Sequence, residues 1–146
     1  QKNSFIRKYY GNSLLKKLKV TKRNFENNNA SITLVGGHDG YQHKYSTLFD
    51  RKITINGEDN IICGEDTLTV SKNEYAFLNF SIRFHVLPDT KLIKTHGGDV
   101  LISVKNQGWK FKSERQDVKI EHSLYFADYE KVQETSCILI EGTLEY

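Results

Sequence analysis

The segment from His38 to Tyr45 holds the polar side chains best suited to chemistry. It reads HDGYQHKY, with two histidines and one aspartate within six positions. Imidazole nitrogens and carboxylate oxygens are zinc ligands, and a histidine beside a tyrosine can transfer protons. Zinc needs three or four ligands that converge, however, and nothing in a loop forces His38 and His43 together. A turn that orients Tyr41 for packing is therefore favoured over a metal site made of His38, Asp39 and His43.

The other histidines and the single tryptophan lie in or beside predicted strands, where structural roles are favoured. His85 alternates with Phe84, so it belongs to the opposite face of its strand and is predicted to be exposed. His122 is in phase with Ile120, which predicts a hydrogen-bonded histidine in the core. Trp109 is either a core anchor or a platform that stacks on a sugar, and the core is favoured because large aromatic side chains dominate cores.

Strands must position these side chains, since apolar and polar residues alternate along most of the chain. The clearest stretch runs from Phe80 to Phe126, where short alternating runs separated by turns predict an antiparallel meander. Gly64 is predicted to mark a bulge within a strand. About ten strands, no convincing helix and a single proline predict an all-β fold, an antiparallel β-sandwich of two stacked sheets.

One domain accounts for the whole chain, residues 1–146, because a chain of this length buries roughly two-thirds of its unfolded surface around one core. Residues 1–30 are the least regular part and are assigned to an edge or linker region. Within them, Leu14 and Leu15 precede Val20 in a short apolar run that favours a strand.

Charge and cysteine content narrow the classes of partner. The net charge of +3 comes from scattered basic residues and does not argue for nucleic acid, and no apolar run is long enough to span a membrane. Cys63 and Cys137 lie in apolar runs and are predicted to be buried free thiols. The chain starts at Gln1 and contains no methionine, so we expect a piece excised from a longer protein.

Four short motifs follow one another along the chain. They are His38-Asp39-Gly40-Tyr41 followed by FDRKITI, Arg83-Phe84-His85 with Pro88, Gly108-Trp109-Lys110-Phe111, and Glu121 with Ser123 and Tyr125. Their order and residue types resemble the C-terminal part of the heparinase II/III-like family, and the resemblance extends from residue 30 to residue 144. The chain is thus identified by resemblance as the β-sandwich region of a polysaccharide lyase-like protein.

The resemblance implies a parent protein with an N-terminal helical toroid, a β-sandwich region and a glycan cleft between them. The family's reaction is β-elimination beside a uronic acid, which needs a base, an acid and a group that neutralises the carboxylate. In the family, the catalytic Tyr and the neutralising residue lie in the helical domain, and the metal ligands precede the matched region. No catalytic residue, no metal ligand and no cofactor is therefore carried over to this chain.

Within this chain, the HDGY segment is the polar part expected near the cleft. Its candidate substrate-binding residues are His38, Asp39, Tyr41 and His43. The resemblance implies two partners, an acidic polysaccharide of the glycosaminoglycan kind and the N-terminal helical domain of the same protein. It also implies a periplasmic or secreted protein of bacteria. We expect a non-catalytic C-terminal domain that supports and walls the cleft and is inactive by itself; the alternative is an autonomous carbohydrate-binding or interaction module.

Overall fold

The computed structural model describes residues 18–28, 30–71, 77–114, 118–128 and 131–145. They form ten β-strands and one short helix, and the chain divides into two compact units, Gln1–Glu74 and Tyr75–Tyr146. The elements of the first unit are β1 (Val20–Asn27), β2 (Ser31–His38), α1 (Gln42–Tyr45), β3 (Thr47–Asn56) and β4 (Ile61–Val70). Those of the second are β5 (Phe77–His85), β6 (Lys91–Lys94), β7 (Val100–Val104), β8 (Gln107–Phe111), β9 (Val118–Asp128) and β10 (Lys131–Glu145).

The first unit is one antiparallel sheet with the strand order β1-β2-β3-β4. Asparagine side chains close two of its hairpins. Between β1 and β2, Asn28 Oδ1 accepts hydrogen bonds from the backbone N–H groups of Ala30 and Ser31 at 3.1 and 2.7 Å. Between β3 and β4, Asn56 Oδ1 accepts the N–H of Glu58 at 3.0 Å. Such side chain-to-backbone bonds are the reason asparagine favours turns.

The bulge predicted at Gly64 is wrong. Gly64 lies opposite Ile53 in a β3–β4 ladder whose register does not shift. The first unit's sheet shifts its register instead between Val20 and Lys22 of β1. Glycine weakens a strand because it offers no side chain to pack, but it does not require an extra residue in the ladder.

The second unit contains two three-stranded antiparallel sheets, with the orders β5-β10-β9 and β6-β7-β8. Val100 from β7 packs in one buried cluster with Val118 from β9 and with Ile138 and Ile140 from β10. The core therefore joins the two sheets face to face. Partly buried side chains complete it: Phe80, Ile82, Leu92, Ile102, Phe111 and Ile120.

The prediction that Phe80 to Phe126 forms one continuous meander is wrong. Strands β6, β7 and β8 form a meander, but β5 pairs with β10 at the far end of the chain. The chain turns after β5 at Pro88, where the N–H of Thr90 donates to the carbonyl of Leu87 at 3.2 Å, and β6 then joins the other sheet. Alternation shows which side chains share a face of a strand, but it does not show which other strands pair with it. The pairing of β5 with β10 could therefore not be predicted from the pattern.

The predicted all-β fold with ten antiparallel strands and little helix is confirmed, and a pair of stacked sheets lies within the second unit. The single domain over residues 1–146 stays a prediction. The strand predicted around Leu14 and Leu15 lies outside the described residues, although Val20 does begin β1. No helix in the described part of the chain is long and apolar enough to cross a membrane.

The two cysteines are both free but differ in exposure. Cys137 lies on the central strand β10 and is 2% exposed, whereas Cys63 lies on the edge strand β4 and is exposed, so the predicted burial of Cys63 is wrong. We expect the thiol reagent DTNB to modify one thiol per native chain and the second only after unfolding, because reaction requires access. Cys63→Ser should abolish the fast reaction. Two fast thiols in the native chain would contradict this.

Candidate functional site

One face of the first unit's sheet is largely apolar, and we call it the apolar face. Strand register places Phe25, Leu34, Ile55 and Ile62 on it, and all four are exposed. The other face of the same strands is polar and includes Lys22, Asp50, Lys52, Glu65 and Thr67. Contiguous exposed apolar surface commonly marks a site of contact with a ligand or another protein. The apolar face is therefore a candidate contact surface.

A polar row crosses the apolar face. Strand register sets Arg23, Gly36, Arg51 and Asp66 side by side on β1, β2, β3 and β4, and we call these four residues the arginine row. Arg51 donates from Nε and Nη2 to the two carboxylate oxygens of Asp66, at 2.6 Å each. These hydrogen bonds raise the pKa of Arg51 above its usual value. A bidentate pair of this kind fixes the orientation of the guanidinium group.

His38, Tyr41 and Phe49 form what we call the ring cluster, where β2 ends. His38 and Phe49 are cross-strand partners, with ring centroids 5.1 Å apart. Tyr41 lies 5.5 Å from His38 and meets Phe49 edge to face at 6.2 Å. The guanidinium carbon of Arg51 lies 5.6 Å from the centroid of Phe49, a cation–π distance. The ring cluster therefore adjoins the arginine row.

The hydrogen bonding of His38 decides what its imidazole can do. Nδ1 accepts a hydrogen bond from the backbone N–H of Gly40 at 3.1 Å, so Nδ1 carries no proton. The neutral ring then carries its proton on Nε2, which is a donor. In this state His38 can donate a hydrogen bond to a hydroxyl or carboxylate oxygen, and Nε2 cannot abstract a proton.

The other two predicted site residues lie apart from the rings. Asp39 holds the backbone ahead of β1: its Oδ1 accepts the N–H of Lys19 at 2.8 Å, and its own N–H donates to the carbonyl of Lys19 at 3.1 Å. His43 is exposed on α1 and makes no ring contact with the cluster among the described residues. The structure thus brings His38 and Tyr41 together, while the substrate-binding roles of all four residues stay predictions.

A metal site built on this segment finds no support. Among the described residues, no group of three or more His, Cys, Asp or Glu side chains is arranged so that it could hold an ion. Asp39 Oδ1 and His38 Nδ1 already accept hydrogen bonds from the backbone N–H groups of Lys19 and Gly40, so neither atom is available as a metal ligand.

The second unit carries polar contacts that the sequence did not single out as a site. His85 Nδ1 lies 2.8 Å from Ser123 Oγ, and Arg83 Nη2 lies 3.7 Å from Glu121 Oε2. Strands β5 and β9 flank β10, so both contacts reach across the central strand. In the strand register, Cys137 of β10 lies opposite His85 of β5 on one side and Glu121 of β9 on the other. Two of the four motifs therefore meet on one face of this sheet. The alternation within each motif was the signal available in the sequence.

The structure confirms one prediction about strand side chains and corrects two. His85 is exposed, as predicted. The predicted core position of His122 is wrong, because its side chain is 64% exposed on the edge strand β9, 4.0 Å from Glu134. Trp109 is not a buried core anchor either. It faces the same side as Ile102, but it lies on the edge strand β8 and is 45% exposed.

Glu141 adds a pH-dependent contact on β10. It accepts a hydrogen bond from Lys119 Nζ at 2.9 Å, and this bond lowers the pKa of Glu141. A carboxyl group with a lowered pKa stabilises the fold above its unfolded pKa of about 4.3 and loses that contribution as the pH falls through the folded value. We expect Glu141→Gln to reduce slightly the difference in urea midpoint between about pH 7 and about pH 3. An unchanged difference would contradict this.

Comparison with protein families identifies the family of the chain. The family described as "Heparinase II/III-like, C-terminal" matches residues 2–146, a span that includes the ring cluster and the arginine row. No curated protein and no solved structure matches the chain significantly. The match agrees with the order of the four motifs in the sequence. The chain belongs to the heparinase II/III-like C-terminal domain family.

Proposed function

We propose that this chain is the non-catalytic C-terminal β region of a heparinase II/III-like polysaccharide lyase, in which it supports and walls the cleft for an acidic glycan. The parent reaction is β-elimination beside a uronic acid. A helical domain of the same protein supplies the base and the group that neutralises the carboxylate. This chain binds no cofactor for that chemistry, and its part is to hold the glycan and to pack against the helical domain.

The ring cluster is the observation that carries this proposal. Tyr41 is 46% exposed and stands against Phe49, and His38 presents an Nε2–H donor beside them. Ligand sites combine apolar and aromatic surface with a few polar groups that fix orientation. The cluster supplies both for a sugar ring. The occupied Nδ1 of His38 supports binding rather than proton abstraction as its role.

The aliphatic part of the apolar face supports the packing role. Ile55 and Ile62 are exposed there, and the opposite face of the same strands is more polar. Burying such surface against the helical domain would favour association, since the gain is roughly 25 cal/mol for each Å² of apolar area removed from water.

A second candidate is an autonomous carbohydrate-binding module, and the exposure of Trp109 favours it. A 45% exposed tryptophan on an edge strand is a surface on which a sugar ring can stack. Trp109→Ala and Tyr41→Ala separate the two candidates. Loss of glycan binding with Trp109→Ala and not with Tyr41→Ala would favour the module.

The purified chain tests the leading proposal. We expect it to release no unsaturated uronate product from heparan-type or alginate-type glycans, measured by ultraviolet absorbance, and to bind acidic oligosaccharide through Tyr41. Tyr41→Ala should weaken that binding severalfold, because an exposed aromatic contact is lost. Turnover by the chain alone would overturn the proposal.

A further inference from the structure

We propose that the arginine row holds a carboxylate or sulfate group of an acidic oligosaccharide over Gly36. This site rests on the proposed function and specifies where the charge of the glycan is bound. Its residues lie outside the HDGY segment, and only Arg51 belongs to one of the four motifs, in the FDRKITI run of the first. Its centre is a position where the sheet has no side chain.

The space over Gly36 is open. A Cβ added at Gly36 would meet no heavy atom within 4 Å, whereas one added at the neighbouring Gly37 would lie 2.1 Å from Asp50 Oδ1. The cross-strand partners of Gly36 are Arg23 on one side and Arg51 on the other. Adjacent strands are about 4.8 Å apart, so the two arginines flank a gap of about 10 Å between their backbones. A surface depression there is lined by Arg23, Asn24, Phe25, Leu34, Val35 and Gly36.

The charges of the row favour an anion at this place. Asp66 lies one strand beyond Arg51, on the side away from Gly36, and holds the Arg51 guanidinium in a bidentate pair. Two arginines and one aspartate give the row a net charge of 2 − 1 = +1. Arg51 contributes a positively charged guanidinium group whose orientation is fixed by Asp66. Arg23 is exposed on the edge strand β1 and contributes a guanidinium whose planar fork matches a carboxylate or a sulfate.

The neighbours of the row favour an acidic sugar over a bare ion. Phe25 and Leu34 lie two residues along their strands from Arg23 and Gly36, and the ring cluster lies on the other side of the row. Two residues along a strand span about 6.6 Å, close to the width of a pyranose ring. An anionic group on Arg23 therefore brings its sugar ring over apolar or aromatic surface, which binds the faces of sugars.

The test is a binding measurement on the full 146-residue chain by isothermal titration calorimetry. Three probes of equal length are compared: an alginate-type oligouronate, a sulfated heparan-type oligosaccharide and a neutral cello-oligosaccharide. We expect the wild-type chain to bind the acidic probes and not the neutral one. The stronger of the two acidic probes identifies the preferred oxyanion, and added salt should weaken both.

Two variants remove the site, and each has a matched control. Arg23→Gln removes the guanidinium and should weaken binding roughly tenfold, the size expected for a charged hydrogen bond. Gly36→Val fills the open space and should weaken binding by excluding the anionic group. Lys52→Gln removes a positive charge from the opposite face, next to Arg51 in β3. Gly64→Val adds the same side chain at another open glycine of the apolar face. Both controls should bind as the wild type does, and the unfolding midpoint verifies that every variant is folded.

Three results would overturn the site. The first is an equal loss of affinity with Arg23→Gln and Lys52→Gln, and the second is unchanged affinity with Gly36→Val. The third is that a polyglutamate peptide binds as well as the oligouronate does. Loss with Tyr41→Ala alone would overturn the site and leave the proposed function standing. If the wild-type chain binds no acidic probe, the site and the glycan-binding part of the proposed function both fail. Acidic-probe binding that neither Arg23→Gln nor Gly36→Val weakens overturns the site alone.

Discussion

Ile138→Ala is expected to lower the free energy of unfolding by about 2–5 kcal/mol, the range for emptying a well-packed aliphatic position. Ile138 is 1% exposed on the central strand β10. It lies between its cross-strand partners Phe84 and Ile120 and packs in the cluster that joins the two sheets of the second unit. Alanine would leave a cavity that these strands cannot close without breaking their ladders. Urea unfolding monitored by circular dichroism measures the loss.

Ile93→Ala is the matched control for this substitution. It removes the same atoms from the neighbouring sheet, but Ile93 is 61% exposed on β6 and points away from the core side chain Leu92. Exposed positions of this kind usually change stability by less than about 0.5 kcal/mol. Equal losses for Ile93→Ala and Ile138→Ala would show that the two sheets do not share the described core.

Gly37→Ala is expected to destabilise the first unit's sheet by about 1–3 kcal/mol, the cost of forcing atoms into an already packed site. Gly37 is buried, and an added Cβ would lie 2.1 Å from Asp50 Oδ1, 2.9 Å from Thr21 Oγ1 and 3.2 Å from the carbonyl oxygen of Phe49. The Asp50 carboxylate would have to move and would loosen its ion pair with Lys22. The shift in unfolding midpoint, compared with that of Lys22→Ala, separates steric cost from loss of the pair.

The adjacent glycine provides the control. Gly36→Ala adds the same methyl group to the same strand where nothing lies within 4 Å. Alanine also restricts the unfolded chain more than glycine does, so this change should be neutral or stabilise by up to about 1 kcal/mol. A larger loss for Gly36→Ala than for Gly37→Ala would mean that the faces of β2 are assigned the wrong way round.

Alternation in the sequence predicted well where the strands lie and which side chains share a face. It predicted poorly how far those side chains are buried and which strands pair. Trp109 and His122 are on the faces that alternation assigns, yet both are exposed because β8 and β9 are edge strands. The position of a strand in its sheet depends on contacts with distant segments. The pairing of β5 with β10 is of this kind, since it joins the start of the second unit to the end of the chain.

The candidate site was predictable in part for the same reason. The spacing of His38 and Tyr41 marked a polar aromatic turn, but their third ring, Phe49, comes from β3 and is set by the β2–β3 register. The arginine row had no local signal at all. Arg23 and Arg51 are far apart in sequence and become neighbours of Gly36 only when three strands pair.

Steady-state kinetics distinguish a binding role of this chain from a catalytic one. The measurement uses the lyase-like protein that we propose contains the chain. Tyr41→Ala in that protein should raise KM for the acidic glycan severalfold and leave kcat within about twofold, because it removes binding that is equal in the ground and transition states. Gln42→Ala, at an exposed position of α1 outside the candidate residues, is the neighbouring control. A fall in kcat of about 100-fold or more with KM unchanged would contradict a non-catalytic role and place Tyr41 in the proton transfer itself.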